Sequence, residues 1–219
     1  MRMIQQMISW LLQLLNGAKI TILLTLCAVS MGLLLSIFLA LGKMSKNKIL
    51  SGICSVYIFF FRGTPLLMQL YFIYFGLPQI NMALTINSRF FAAFLAFSLN
   101  SAAYCSEFIR AAIQSIDKGQ FEASKALGLS EAQTMQLVIF PQSIRRLVPS
   151  VANEFIMVLK DASLVSIIAL ADLTKVTRAI SSSTGTAMVY IPAMMIYLVM
   201  TAFFEFIFRR METKFSRYE

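Results

Sequence analysis

The chain is 219 residues long, with 58% hydrophobic and only 13% charged residues, and its mean hydropathy is +0.76. A soluble domain is about a quarter charged, so this composition excludes an ordinary hydrated surface and points to one facing lipid. The net charge is +9, from 19 Lys+Arg against 10 Asp+Glu, and there is no His, which excludes histidine general bases and imidazole metal ligands. Cys27, Cys54 and Cys105 lie in apolar surroundings without a CxxC pair, and read as small hydrophobes rather than a disulfide framework.

Residues 1–17 form a short amphipathic lead-in, with Trp10 as an interfacial anchor. The run 20–42 carries no interior charge. At about 1.5 Å per residue it is long enough for a hydrocarbon core of about 30 Å. It is too long for a signal-peptide core, so it is expected to be retained. Lys43, Lys46 and Lys48 then mark a cytoplasmic loop. The second apolar stretch, 49–77, is interrupted by Arg62-Gly63-Thr64-Pro65. Proline lacks an N–H and breaks or bends a helix, so a bent or displaced span is expected there. Residues 78–88 read as an external turn region and 90–109 as the third span. The stretch 110–146 is amphipathic and too polar to cross a bilayer. Residues 148–170 give a fourth span with several polar positions, 172–185 a Ser/Thr-rich external loop, and 186–208 a fifth span.

Twelve of the 19 Lys and Arg fall on the segments assigned inside, five fall outside, and Arg62 and Lys160 fall within spans. Basic residues collect in cytoplasmic loops, so the N-terminus is expected outside and the C-terminus inside. The fold class is an all-α integral membrane protein of five spans, and the basic balance reflects topology rather than nucleic-acid binding.

The segment between spans three and four is the most informative. Phe121, Ala123, Ala126 and Leu127 are expected on one face of a short helix that ends at Gly128, with Ser130 and Glu131 starting the next. Glu122-Ala123-Ser124, then three residues, Gly128, nine residues and Val138-Ile139-Phe140-Pro141 resemble the signature of permease subunits of type I ABC importers. Ser124, Val138 and Phe140 replace the family's Ala, Ile and Leu. Phe61-Arg62-Gly63-Thr64-Pro65-Leu66-Leu67, Asn153-Glu154-Phe155 and Lys160-Asp161-Ala162-Ser163-Leu164 resemble its polar amino-acid branch, which includes the histidine, arginine and glutamine permeases.

This resemblance implies a type I transmembrane domain over 18–210, with a cytoplasmic tail at 211–219. It implies that Glu122, Ala123, Ser124 and Gly128 belong to a coupling helix seated on a cytoplasmic ATPase. Two such ATPases, a second identical or homologous permease and an extracytoplasmic solute-binding protein or domain would be the partners, in a bacterial inner membrane. No G-x-x-x-x-G-K-[ST] phosphate loop is present, since Gly42-Lys43 is followed by Met44. The chain is therefore expected to hold no cofactor and catalyse no reaction, with ATP and magnesium on the partner subunits.

Ionisable groups at membrane depth are costly, and are functional or paired. Glu154 and Asp161, seven apart, share a helix face, as do Asn100, Tyr104 and Glu107. Lys160, Asp161 and Ser163, with Asn100, Ser101 and Tyr104, are expected around a midplane cavity. Thr64 and the backbone near Pro65 would add hydrogen bonds, since broken helices line such sites. A zwitterionic amino acid needs a positive and a negative partner, which this set supplies; basic, acidic, neutral and sulfur-containing amino acids all stay open. The competing reading is a brace, with Arg62 or Lys160 neutralised by Glu154 or Asp161. Glu107 is expected to pair with Arg110 or to cap the cytoplasmic segment. The Phe and Met runs read as packing and lipid-facing residues. The alternative function is an ion-gradient-driven secondary transporter or a channel subunit; the internal repeats common in such transporters are absent from the sequence.

Overall fold

The structure, a computed structural model, describes residues 2–216, with side chains described for residues 8–214. Ten α-helices in chain order are joined by short 3-10 and π turns: α1 Arg2–Lys43, α2 Lys48–Gly63, α3 Leu66–Tyr71, α4 Leu77–Ile80, α5 Arg89–Gln114, α6 Lys118–Ala126, α7 Glu131–Thr134, α8 Phe140–Asp161, α9 Leu173–Thr184 and α10 Tyr190–Ser216.

Helix α1 is unbroken over 42 residues, so residues 2–17 of the expected lead-in at 1–17 are the first part of the same helix. No proline interrupts it. Trp10 is 7% exposed and packs with Leu14 in the core rather than anchoring at an interface. At its centre α1 lies along α5. Small residues are buried on both helices, with Ala18, Thr21, Thr25 and Ala28 on α1 and Ala92, Ala93, Ala96, Ala102 and Ala103 on α5. Small residues let helix backbones approach closely in a membrane, where packing replaces the hydrophobic effect. Gly32 marks a close approach of α1 to α5, because a Cβ there would stand 2.9 Å from Ser101 Cβ.

Residues 8–43 and 187–214 are long and apolar enough to cross a membrane, and the bent pair α2 with Leu66–Ile80 would be a third crossing, its halves turned by 102°. The expected bend at Gly63–Pro65 is thus present. Helices α5 and α8, of 26 and 22 residues, carry more polar side chains. Two π turns, Phe72–Gly76 and Met135–Ile139, directly precede the first turns that hold Pro78 and Pro141. A proline ring crowds the carbonyl four residues back, and a wider turn relieves that contact.

Two boundaries differ from the sequence reading. The expected loop 172–185 is helix α9, capped by the Asp172 carboxylate, which accepts from Thr174 N and Lys175 N at 2.8 and 2.9 Å, and ended by Gly185 at φ +67°. It seats on α1 where Gly17 leaves room, since a Cβ there would meet Leu173 Cα at 2.8 Å. Helix α8 begins at Phe140 and ends at Asp161, and 3-10 turns continue from Ala162 to Ile168. The tail expected at 211–219 continues α10 as far as Ser216, and Arg217 and the two residues after it lie outside the described residues.

Candidate functional site

The site grows out of the break after α2. The residue before a proline is pushed into extended backbone, and Thr64 takes φ −116°, ψ 146° before Pro65 starts the turn into α3. A broken helix leaves carbonyls without intrahelical donors, and at membrane depth each needs a partner. Two side chains supply Phe61 O and Thr64 O, while Phe60 O keeps Thr64 N as its donor at 3.1 Å and also accepts from Thr64 Oγ1 at 2.8 Å. Gln69 Nε2 donates to Phe61 O and Thr64 O at 3.0 and 3.1 Å. Asn100 Nδ2, from α5, donates to Phe61 O at 2.9 Å and to Gln69 Oε1 at 3.0 Å. The Tyr57 hydroxyl adds a further tie, donating to Leu99 O at 2.8 Å.

A cavity of ≈ 340 Å³ opens against this break, at the small end of the roughly 300–1,000 Å³ typical of ligand clefts. Its polar wall is Arg62, Thr64, Asn100, Tyr104, Glu154 and Asp161, and Phe97, Leu66, Met157 and Val158 give an apolar side. Of the residues expected at a cavity, Thr64, Asn100, Tyr104 and Asp161 line this one. Ser101 is fully buried behind the wall, against Gly32 and beside Glu154. Ser163 lies half-buried in the 3-10 turns past α8, off the wall. Lys160 faces another cavity, of ≈ 630 Å³, which it shares with Asn153, Glu205, Arg209 and Glu212 between α8 and α10. Adjacent helix positions point about 100° apart, so Lys160 and Asp161 open onto different spaces.

The expected neutralisation of Arg62 or Lys160 by Glu154 or Asp161 takes no form of a close ion pair among the described residues, although Arg62 acts on Glu154 and Lys160 on Asp161 at longer range. Arg62 turns to Glu107, with Nη1 3.8 Å from Oε2, and lies over the Tyr104 ring at 5.2 Å. Among the described residues no ion pair within 4.0 Å engages Glu154 or Asp161. Glu107 does pair with Arg110, at 2.7 Å, and is also held by Lys43 at 2.7 Å. One carboxylate thus gathers cations from the end of α1, the break after α2 and the end of α5. Arg62 and Glu154 line the cavity outside the expected set, and Gln69 supports the break behind it. The signal for Gln69 was its position, a lone amide five residues past Thr64 in an apolar run.

The segment after α5 forms a separate projection. Asp117 caps α6 by accepting from Gly119 N at 2.7 Å. The helix closes with Leu129 N donating to Ser124 O at 3.1 Å around Gly128, whose φ is +78°; a left-handed glycine is the common way to end a helix. Ser130 and Gln133 then form a reciprocal capping box at α7. The helix–glycine–helix order matches the sequence expectation. Glu122, Ala123 and Gly128 are exposed, Phe121 and Leu127 are exposed at 37% and 81%, and Ser124 is buried with its hydroxyl on Gln120 O. The projection is tied back by Lys46–Glu131 at 3.0 Å, by Gln142 donating to Gln120, and by Arg146 donating to Ser115 O.

A helical chain with a broken helix closing on a charged cavity, and an exposed two-helix projection at one end, has the parts of a membrane transport subunit. Residues 32–217 match the family described as binding-protein-dependent transport system inner membrane component, and the chain belongs to that family. It is 39% identical over 204 residues to the arginine transport system permease protein ArtQ of Bacillus subtilis, covering 92% of this chain and 91% of that protein. It is 38% identical over 205 residues to the L-cystine transport system permease protein TcyB of the same species, covering 93% and 86%. A crystal structure of an amino acid ABC transporter with histidines superposes with a TM-score of 0.90 at 41% identity, over 96% of this chain and 97% of that one.

Proposed function

We propose that the chain is the permease subunit of an ATP-driven amino-acid importer and that the cavity at the α2 break holds the amino acid in transit. The observation that carries this is the charged cavity itself, with Arg62 on one side and Glu154 and Asp161 on the other, against a helix break at which Gln69 and Asn100 hold the Phe61 carbonyl. Relatives named for arginine and L-cystine transport support the substrate class. Thr64, Asn100 and Tyr104 supply neutral hydrogen-bonding groups. Ser101 supports the wall from behind, while Lys160 and Ser163 act away from this cavity.

Five spans complete the reading, with α5 and α8 as the third and fourth and the N-terminus outside. The chain performs no covalent chemistry. ATP and magnesium sit on two partner ATPases, a second permease copy or homologue closes the pathway, and a solute-binding protein or domain delivers the amino acid. The exposed Glu122, Ala123 and Gly128 on the α6 projection, with Ser124 buried to hold it, fit docking on an ATPase.

The test is uptake of radiolabelled amino acids into vesicles holding the assembled transporter, with ATP hydrolysis measured in parallel. Asp161→Asn is expected to lower uptake while the ATPases still co-purify, and Glu122→Arg to leave the protein assembled in membranes but separate hydrolysis from uptake. Full uptake in Asp161→Asn counts against the cavity, and full uptake in Glu122→Arg counts against the docking role.

A further inference from the structure

A further cavity, of ≈ 300 Å³, lies between the end of α1 and α2, with Lys43, Ser55, Phe59 and Arg62 on its wall. The Ser51 hydroxyl, one turn before Ser55, donates to Lys43 O at 2.8 Å and ties the two helices together there. Charge is unbalanced at this place. Lys43, Arg62 and Arg110 bring three positive groups to the single Glu107 carboxylate, which leaves two positive charges in excess. Ser55 is half-buried, and its hydroxyl has no hydrogen-bond partner among the described residues. Around the cavity the face of α2 is apolar and open: Ile53, Val56, Phe59 and Phe60 are all exposed, Phe59 at 81%.

We propose that this cavity holds the phosphate of an anionic phospholipid of the cytoplasmic leaflet, with the acyl chains along the apolar face of α2. In the orientation proposed above, Lys43 ends α1 at the cytoplasmic surface, and Lys46 and Lys48 follow it. That leaflet carries the anionic lipids, and basic pockets between membrane helices on that side bind their headgroups. The phosphate oxygens meet Lys43 and Arg62 and accept from the Ser55 hydroxyl, and the negative charge offsets part of the excess left by Glu107. A guanidinium presents its donors as a fork, so Arg62 can serve Glu107 and a phosphate together. A zwitterionic headgroup brings its own cation beside two others and gains less. A soluble phosphate leaves Val56, Phe59 and Phe60 uncovered. Arg62 also stands on the wall of the transit cavity, so the charge of the leaflet reaches the pathway through one side chain.

The experiment is native mass spectrometry of the purified permease–ATPase assembly in neutral detergent, titrated with phosphatidylglycerol or with phosphatidylcholine of the same acyl chains. Expected is retention of phosphatidylglycerol at a concentration lower by roughly fivefold or more than phosphatidylcholine requires. Lys43→Gln keeps a donor for Glu107 but removes a charge, and Ser55→Asp sets a negative charge in the cavity. Each should raise the phosphatidylglycerol concentration needed by roughly fivefold or more and leave phosphatidylcholine unchanged. Glycerol phosphate, the headgroup without chains, should not displace the lipid. Where one variant fails to assemble, the other and the two-lipid comparison decide. Equal retention of the two lipids overturns the proposal, as does undiminished phosphatidylglycerol retention in the variants. Displacement by glycerol phosphate would make the ligand a free anion, and separation of a permease pair by Ser55→Asp would make the cover a second copy; either result also overturns it. The transit cavity is judged separately, by uptake in Asp161→Asn.

Discussion

The Asn100 amide reaches Gln69 Oε1 at 3.0 Å and the Phe61 carbonyl at 2.9 Å, so a single side chain of α5 holds both edges of the break after α2. Gln69→Leu removes the side-chain donor of Thr64 O, Asn100→Leu removes the donor of the Gln69 amide oxygen, and either variant leaves Phe61 O with one donor in place of two. Each is expected to cost about 1–2 kcal/mol of stability in detergent. Because the two amides share a hydrogen bond and also the Phe61 carbonyl, the cost of the double variant should differ clearly from the sum. Thermal unfolding of the four proteins checks this, and simple additivity would mean that the pair does not act as one unit.

Glu107→Gln tests the gathering of Lys43, Arg62 and Arg110. The Glu107 side chain is 13% exposed and its partners 27–41%, so the full penalty for breaking a buried pair is reduced by solvent. A loss of about 1–3 kcal/mol is expected. The Lys46–Glu131 pair, with both side chains more than nine-tenths exposed, provides the contrast: Glu131→Gln should change stability by less than about 1 kcal/mol. Equal effects of the two substitutions would remove Glu107 from its bracing role.

Gly17→Ala and Gly52→Ala should move in opposite directions. A Cβ at Gly17 would stand 2.8 Å from Leu173 Cα and 2.9 Å from Asp172 O, both backbone atoms that cannot swing aside, whereas at Gly52 nothing lies within 4 Å. Gly17→Ala is expected to destabilise by about 1–3 kcal/mol, and Gly52→Ala, inside α2, to be neutral or stabilising by up to about 1 kcal/mol. Denaturation midpoints decide between them.

Gly128→Ala forces a side chain into a left-handed turn at φ +78°, at a cost of about 1–2 kcal/mol. The strain is confined to the projection. Faster proteolysis across 118–134 and weaker co-purification of the ATPases are expected, with the thermal midpoint of the helical core unchanged. Unchanged proteolysis and co-purification would show that the left-handed turn is not needed to present the projection.

Much of this arrangement is legible in the sequence, because it depends on local rules. Arg62-Gly63-Thr64-Pro65 announces the break, and Gly128 followed by Ser130 and Glu131 announces two helices around a turn. Glu154 and Asp161 share a cavity wall as their spacing implies. The misreadings come from elsewhere. Helix α9 hides in a Ser/Thr-rich stretch whose composition suggests a loop, although Asp172 and Gly185 mark its two ends. Lys160 and Asp161 look like one charged unit in a string of letters, yet the helical step between them sends each to a different space. The partner of Arg62 depends on how α2 crosses α5, which no local pattern encodes. Gln69 reads as an odd polar residue until the carbonyls it serves are placed in space.

The carbonyls held at the break also bear on ion binding there. Where a membrane helix unwinds, free carbonyl oxygens can coordinate a coupling sodium ion. Here the Phe60, Phe61 and Thr64 carbonyls already accept from Thr64, Gln69 and Asn100. A sodium ion seeking those oxygens would have to strip two amides from their partners before gaining a ligand. These three oxygens therefore offer no ready seat for a driving ion, because each is already held by a donor of the same chain.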